Sequence, residues 1–360
     1  MEANLFLELL QISLGSRNSL SSVPSAEKWN ALYDESEKQS ISGFMLAGIE
    51  RLPNGQRPPQ ELLLQWIGVG QMIEQQNKLI NGRCVDITNV FADSGFRSCI
   101  LKGQGNSLMY PNPMLRQSGD IDIWVDGSKD EIVTFVHGKY PEANVTEHHV
   151  EFPIYDDVEV EVHYKPSVAV SVKYDKHFDE YWESVKDEHF SHKGSLHNGV
   201  GEICFPTIGF NIVFQMAHMM KHFFSEGLGL RHIVDYYYVL RSAHDAGLET
   251  REYAGIFPHL GMKRFADAVM WVLVEACGMP EEWMVCEEDE KRGRLLLDEI
   301  MAGGNFGHGG TRLTKKMMTR SATLSIIMKN MKMVRLFPEE AIMAPVSNVI
   351  RRLRNNEIKV

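Results

Sequence analysis

Arg116-Gln117-Ser118-Gly119-Asp120-Ile121-Asp122-Ile123-Trp124-Val125 is the stretch on which the reading of this chain turns. Side chains on a β-strand alternate between its two faces, so Asp120 and Asp122 share one face while Ile121, Ile123 and Val125 share the other. The apolar row predicts a core-facing side, with the two aspartates at the strand's exposed start. Neighbouring carboxylates repel each other, and a hard divalent cation such as Mg²⁺ relieves the repulsion. Chemistry that uses two such ions on a chain of phosphates calls for a third carboxylate.

Val158-Glu159-Val160-Glu161-Val162-His163-Tyr164 supplies one by the same alternation, with Glu159, Glu161 and His163 on one face and the valines on the other. If this strand lies beside the first, the ~4.8 Å spacing between strands brings Glu161 to the aspartates, while Glu159 lies too far along. Taken alone, the segment also fits an edge strand with one solvated face. On the N-terminal side, the β-rich Phe96 to Leu101 gives way to Lys102-Gly103-Gln104-Gly105-Asn106. That switch predicts a strand ending at Leu101, with Lys102 and Gly103 opening a loop that faces the acid pair.

Around this centre the pattern is helical. Residues 1–80 carry apolar positions at helical spacing and read as an N-terminal module, with Gln71 to Phe91 forming a longer helix into the next part. Residues 81–166 alternate short strands (96–101, 121–125, 149–155, 158–164) with a helix over 131–137, as an α/β core does. Residues 167–310 predict a second helical module, with helices over 208–224, 230–243, 253–260, 265–277 and 291–301. Gly303 to Gly310 reads as a connector into a basic helical tail, residues 311–360.

The residues quoted so far carry a resemblance. Leu101-Lys102-Gly103, Tyr110-Pro111, Arg116, Asp120-Ile121-Asp122 and Glu161-Val162-His163 resemble the motif of an uncharacterised bacterial nucleotidyltransferase family within the DNA polymerase β-like superfamily. The likeness extends more weakly to the N-terminal helices and to His218, His222, Gly229-Leu230-Arg231 and Asp235. It implies an α+β fold, a nucleotidyltransferase-type mixed sheet flanked by helical modules. It also implies two Mg²⁺ on Asp120, Asp122 and Glu161, and an NTP such as ATP whose triphosphate meets Gly103, Lys102 and Arg116. The superfamily's Gly-Ser turn is replaced here by Lys102-Gly103 at a longer distance from the acids. The expected activity is transfer of an NMP group, with release of pyrophosphate, to a small molecule, a protein or an RNA end. The alternative is a non-catalytic nucleotide-binding or regulatory protein that keeps the fold. Transfer of the terminal phosphate alone would call for separate Gly-rich, Lys and Asp motifs that the chain does not show.

Other features have simpler readings. His218 and His222 have the i, i+4 spacing of a helical zinc site, but Met219 stands where a metalloprotease has Glu, so packing histidines are the expectation. Arg231 and Asp235 fit an intrahelical pair, with a substrate-facing role implied only by the resemblance. Arg116 fits an ion pair with a local acid equally well, and His148-His149 ahead of a strand is given no role. The five cysteines are scattered, without a Cys-x-x-Cys pair, as reduced thiols are. No apolar run reaches the ~20 residues of a bilayer span, which with the acidic Met-Glu-Ala-Asn start predicts a cytoplasmic protein. Net charge is −11, yet residues 311–360 hold 11 Lys/Arg against 3 Asp/Glu. The acidic body argues against general nucleic-acid binding. The basic tail is expected to dock on that body or on an acidic partner, and to be dispensable for the chemical step.

Overall fold

The acid-bearing stretch forms the second strand of a four-stranded mixed sheet: β1 (Ser98–Leu101), β2 (Ile121–Val125), β3 (His149–Glu151) and β4 (Val160–His163), in spatial order β1-β2-β4-β3. This is seen in a computed structural model that describes residues 2–305 and 328–357. β2 runs antiparallel to β1 and parallel to β4, and β3 runs antiparallel to β4. Four helices precede the sheet: α1 (Glu2–Leu14), α2 (Ala26–Lys38), α3 (Ser42–Arg51) and α4 (Gln60–Asp93). Within it lie the short α5 (Gly103–Ser107) and α6 (Lys129–His137).

After the sheet come α7 (Asp175–His189), a hairpin of β5 (Lys193–Ser195) and β6 (Glu202–Cys204), α8 (Ile208–Ser225), α9 (Leu230–Asp245), α10 (Ile256–His259), α11 (Lys263–Cys277) and α12 (Glu290–Gly303). Residues 328–333 are the described part of α13, and α14 spans Pro338–Glu357. Local signals start and stop these helices. Ser128 and Glu131 close a reciprocal capping box at α6, Thr207 accepts from the Phe210 N–H at the start of α8, and Gly278 ends α11 at φ 63°.

The sheet is buried on both faces, one apolar throughout and the other mixing apolar side chains with Asp122, Glu161 and His163. Ile100, Ile121, Ile123, Val125, Val160 and Val162 pack on Cys84, Ile87 and Phe91 of α4 and on Ile132 and Val136 of α6. The opposite row, Cys99, Leu101 and Trp124, joins a larger core built from helices. Trp124 stacks on Phe210 of α8 with ring centroids 5.8 Å apart. α8 therefore roofs the face that carries Asp122, Glu161 and His163.

Helices from both ends of the chain contribute to that larger core, although the sequence separates them into two modules. Leu9 and Leu10 of α1 lie in one cluster with Val272 and Leu273 of α11. Ser16 Oγ donates to the Cys277 carbonyl at 2.8 Å, and Gln11 Nε2 to the Glu275 carbonyl at 3.1 Å. Among the described residues no helix is long and apolar enough to cross a membrane, and all five cysteines are free.

Residues 306–327, which hold most of the connector and the first part of the basic tail, lie outside the described residues. The described part of the tail, residues 328–357, packs on the body. Met333 and Phe337 are buried in the larger core, and Arg351 pairs with Glu147 at 2.8 Å and also with Asp175. Each buried apolar side chain of this size contributes about 1.5–3 kcal/mol. Truncation after Gly310 should therefore lower the midpoint of thermal unfolding, followed by circular dichroism, and an unchanged midpoint would contradict this docking.

Candidate functional site

Pairing register brings the acids together. Asp122 is opposite Leu101 of β1 on one side and opposite Glu161 of β4 on the other. β3 extends the row, with His149 opposite His163 and Glu151 opposite Glu161. Asp122 is not at an exposed strand start, as its position in the sequence predicts. It is 4% exposed, because α8 and α9 cover this face. Asp120 precedes the strand, half-buried on the cleft wall, whereas Glu159 is exposed and meets β2 through its carbonyl, which accepts from the Ile121 N–H at 2.9 Å.

β1 ends at Leu101, and a five-residue helix stands where the sequence predicts a loop. Lys102 takes φ 51° and Gly103 φ 37°, a reversal that L side chains rarely adopt. It carries Gly103 beside the backbone of Asp120, where an added Cβ would lie 3.8 Å from the Asp120 carbonyl oxygen. It also aims Lys102 Nζ at Asp122 Oδ2, 2.8 Å away.

Asp122 Oδ1 lies 2.9 Å from His163 Nε2, which is also 3.8 Å from Glu161 Oε2. Burial alone would raise the Asp122 carboxyl, but Lys102 and His163 outweigh it and hold Asp122 below the usual carboxylate range. Glu161 moves the other way. Burial first, then the charges of Asp122 and Asp120, push its carboxyl up to about 8. One carboxylate of the set is thus held ionised while another is driven toward its protonated form, which is the condition a divalent cation relieves. Asp122, Glu161 and His163 each offer a ligand atom, all within 4.8 Å of one another. The donor set fits a cation.

Asp120, Asp122, Lys102 and Gly103 form one side of a cleft with about 580 Å³ between its walls, open solvent included. Across from them stand Gln215, His218 and His222 of α8 and Arg231, His232 and Asp235 of α9. His218 and His222 have ring centroids 4.2 Å apart, and His222 Nδ1 lies 3.2 Å from Glu226. Arg116 also lines the cleft, but its guanidinium is engaged. Nε and Nη2 each lie 2.7 Å from an Asp235 oxygen, and Nη1 donates to Ser118 at 3.1 Å. Asp235 also accepts from Tyr110 at 2.6 Å and Asn106 at 3.3 Å. The motif stretch is in this way bolted to α9, and Asp235 pairs with Arg116 across the cleft floor instead of with Arg231 one turn away.

The sequence gives no role to His148, His149 or Lys221, and the fold brings all three to the acids. His149 Nδ1 lies 3.3 Å from Glu161 Oε2, and Lys221 Nζ lies 2.7 Å from His148 Nε2. Alternation within β3, which sets His149 on the face of Glu151, is the one local signal that could have pointed to His149, and nothing local placed Lys221. Arg231 bonds to the Gln117 carbonyl at 3.1 Å and leaves a cationic group on the cleft wall.

A mixed sheet that gathers carboxylates, a lysine and histidines under a helical roof gives an α+β protein with a polar cleft of mixed charge. The chain belongs to the family described as uncharacterised nucleotidyltransferase, whose model matches residues 25–278. The matched span includes every residue of the cleft named above. No curated protein and no solved structure gives a significant match to the chain.

Two measurements test this geometry. The Glu161 carboxyl is raised from 4.5 to about 8 in the folded protein, so between those values the folded state holds a proton that the unfolded state has lost. Stability of the metal-free protein from this group is therefore present below pH 4.5 and lost as pH rises toward 8. Glu161→Gln should flatten that decline in denaturant melts at successive pH values, and an unchanged slope would contradict the raised value. Asp235→Asn leaves the Arg116 charge buried without its partner and should cost about 3–5 kcal/mol in urea unfolding, against a far smaller loss when Arg116 and Asp235 are replaced together by apolar residues.

Proposed function

We propose that this cleft transfers a nucleoside monophosphate from an NTP to the hydroxyl of an acceptor, releasing pyrophosphate. The observation that carries the reading is the parallel register that sets Glu161 opposite Asp122 with Asp120 beside them, in a chain of a nucleotidyltransferase family. Asp120, Asp122 and Glu161 would hold divalent cations, Mg²⁺ being the natural choice for carboxylate oxygens. When bound, such ions supply charge neutralisation for the triphosphate and acidify the acceptor hydroxyl.

The chain's own groups do the rest. Lys102 reaches the acids from the phosphate side and exchanges its bond to Asp122 for one to a phosphate oxygen. Gly103 presents backbone with no side chain in the way. Arg116 contributes charge from the cleft floor through its pair with Asp235, and Arg231 offers a guanidinium with hydrogen-bonding capacity to spare. In the reaction the acceptor oxygen bonds to the α-phosphorus, the bond from that phosphorus to the bridging oxygen of the β-phosphate breaks, and the hydroxyl proton passes to a carboxylate of the set. The helical wall of α8 and α9 shapes the acceptor side.

Calorimetry with a non-hydrolysable ATP analogue tests the reading. Binding should require Mg²⁺, and Asp122→Asn and Glu161→Gln should each weaken it by at least about tenfold, with the fold intact by circular dichroism. Glu159→Gln should leave it within about twofold, since that side chain is exposed and off the row. Equal affinity with and without Mg²⁺ would overturn the metal-dependent reading and favour a protein that binds nucleotide without catalysis.

A further inference from the structure

We propose that the same sheet face carries a nitrogen-rich site for a transition-metal dication, built by His148, His149 and His163 and completed by Glu161. It shares Glu161 with the carboxylate set but stands on donors that the transfer reading does not use. The three imidazoles are all buried, at 8%, 8% and 2% exposure, and offer ring nitrogens within 4.8 Å of one another.

Two of the separations are those of a coordination shell. Zinc binds imidazole nitrogen at about 2.0–2.1 Å, so two ligands on one tetrahedral ion lie about 3.3–3.4 Å apart. His148 Nε2 and His149 Nδ1 are 3.3 Å apart, and His149 Nδ1 and Glu161 Oε2 are also 3.3 Å apart. Glu161 Oε2 is in turn 3.8 Å from His163 Nε2. Three imidazole nitrogens and one carboxylate oxygen favour an ion such as Zn²⁺ or Co²⁺ over Mg²⁺, which prefers an all-oxygen shell.

Two details mark the nitrogens as ligands in waiting. Lys221 Nζ, a group with donors only, sits 2.7 Å from His148 Nε2, so that nitrogen presents its lone pair to a cation. His163 Nδ1 faces the Lys165 carbonyl at 3.4 Å, the outer hydrogen bond that fixes the tautomer of a metal-bound histidine. The ring can place its proton there and free Nε2, which now meets Asp122. Lys221 and Lys102 bring ammonium charges to this cluster.

Untagged protein, stripped of metal and loaded with Co²⁺ in the absence of nucleotide, gives the test. About one equivalent should bind and resist a large excess of Mg²⁺, with the visible absorption of a tetrahedral ion. X-ray absorption of the wild-type complex should show several imidazole neighbours, a reading that needs no variant to fold. His148→Gln and His149→Gln should each weaken Co²⁺ binding by at least about tenfold, whereas Glu159→Gln, at an exposed position, should leave it within about twofold. An all-oxygen shell, ready displacement by Mg²⁺, or unchanged affinity in the His148→Gln/His149→Gln double variant would overturn the site. Because no nucleotide is present, such a failure leaves the transfer reading intact, and that reading fails separately on Mg²⁺–nucleotide binding.

Discussion

Parallel pairing of β2 with β4 is the constraint on which the rest of the structure depends. It sets Asp122 and Glu161 at one level on adjacent strands, closer than two ionised carboxylates under a helical roof can rest comfortably. Everything around them compensates. Lys102 is turned inward through an unfavourable backbone conformation to reach Asp122, and His163 braces the other oxygen. Glu161 is left as the member whose charge state yields.

Buried acids alone would not make a cleft, and the wall opposite them is fixed by a second polar system. The forked Arg116–Asp235 pair, with Tyr110 and Asn106 on the same carboxylate, ties the loop between β1 and β2 to α9. Gln215 of α8 extends the network by donating to Asn106 at 2.9 Å. A buried ion pair of this kind adds little net stability over an apolar contact, but it forbids sliding. The Lys102–Gly103 turn and the histidine wall therefore hold a fixed spacing.

Period-two alternation made the acid rows legible in the sequence, and β2 spans the residues it indicated, Ile121 to Val125. The helices of the C-terminal half were legible in the same way, because Ile208 to Phe224 and Leu230 to Ala243 carry continuous apolar faces. What was not legible is what depends on partners distant in sequence. Asp122 reads as exposed because nothing local announces that Phe210 of α8 covers its strand. Arg116 and Asp235, more than a hundred residues apart, meet only in three dimensions. His148 and His149 look inert until β3 lays them against β4, and the shallow Lys193–Ser195 hairpin, with two of its three residues exposed, leaves no apolar signature.

The shared core of the first and eleventh helices bears on how the chain is made. Ser16 finds its partner at Cys277, so α1 cannot complete its packing until synthesis has passed Cys277. The sheet and its α4 and α6 layer draw on residues 80–203 and can collapse first. During synthesis the N-terminal helices can pack on one another, and the side of α1 that α11 covers is the part left bare until α11 follows.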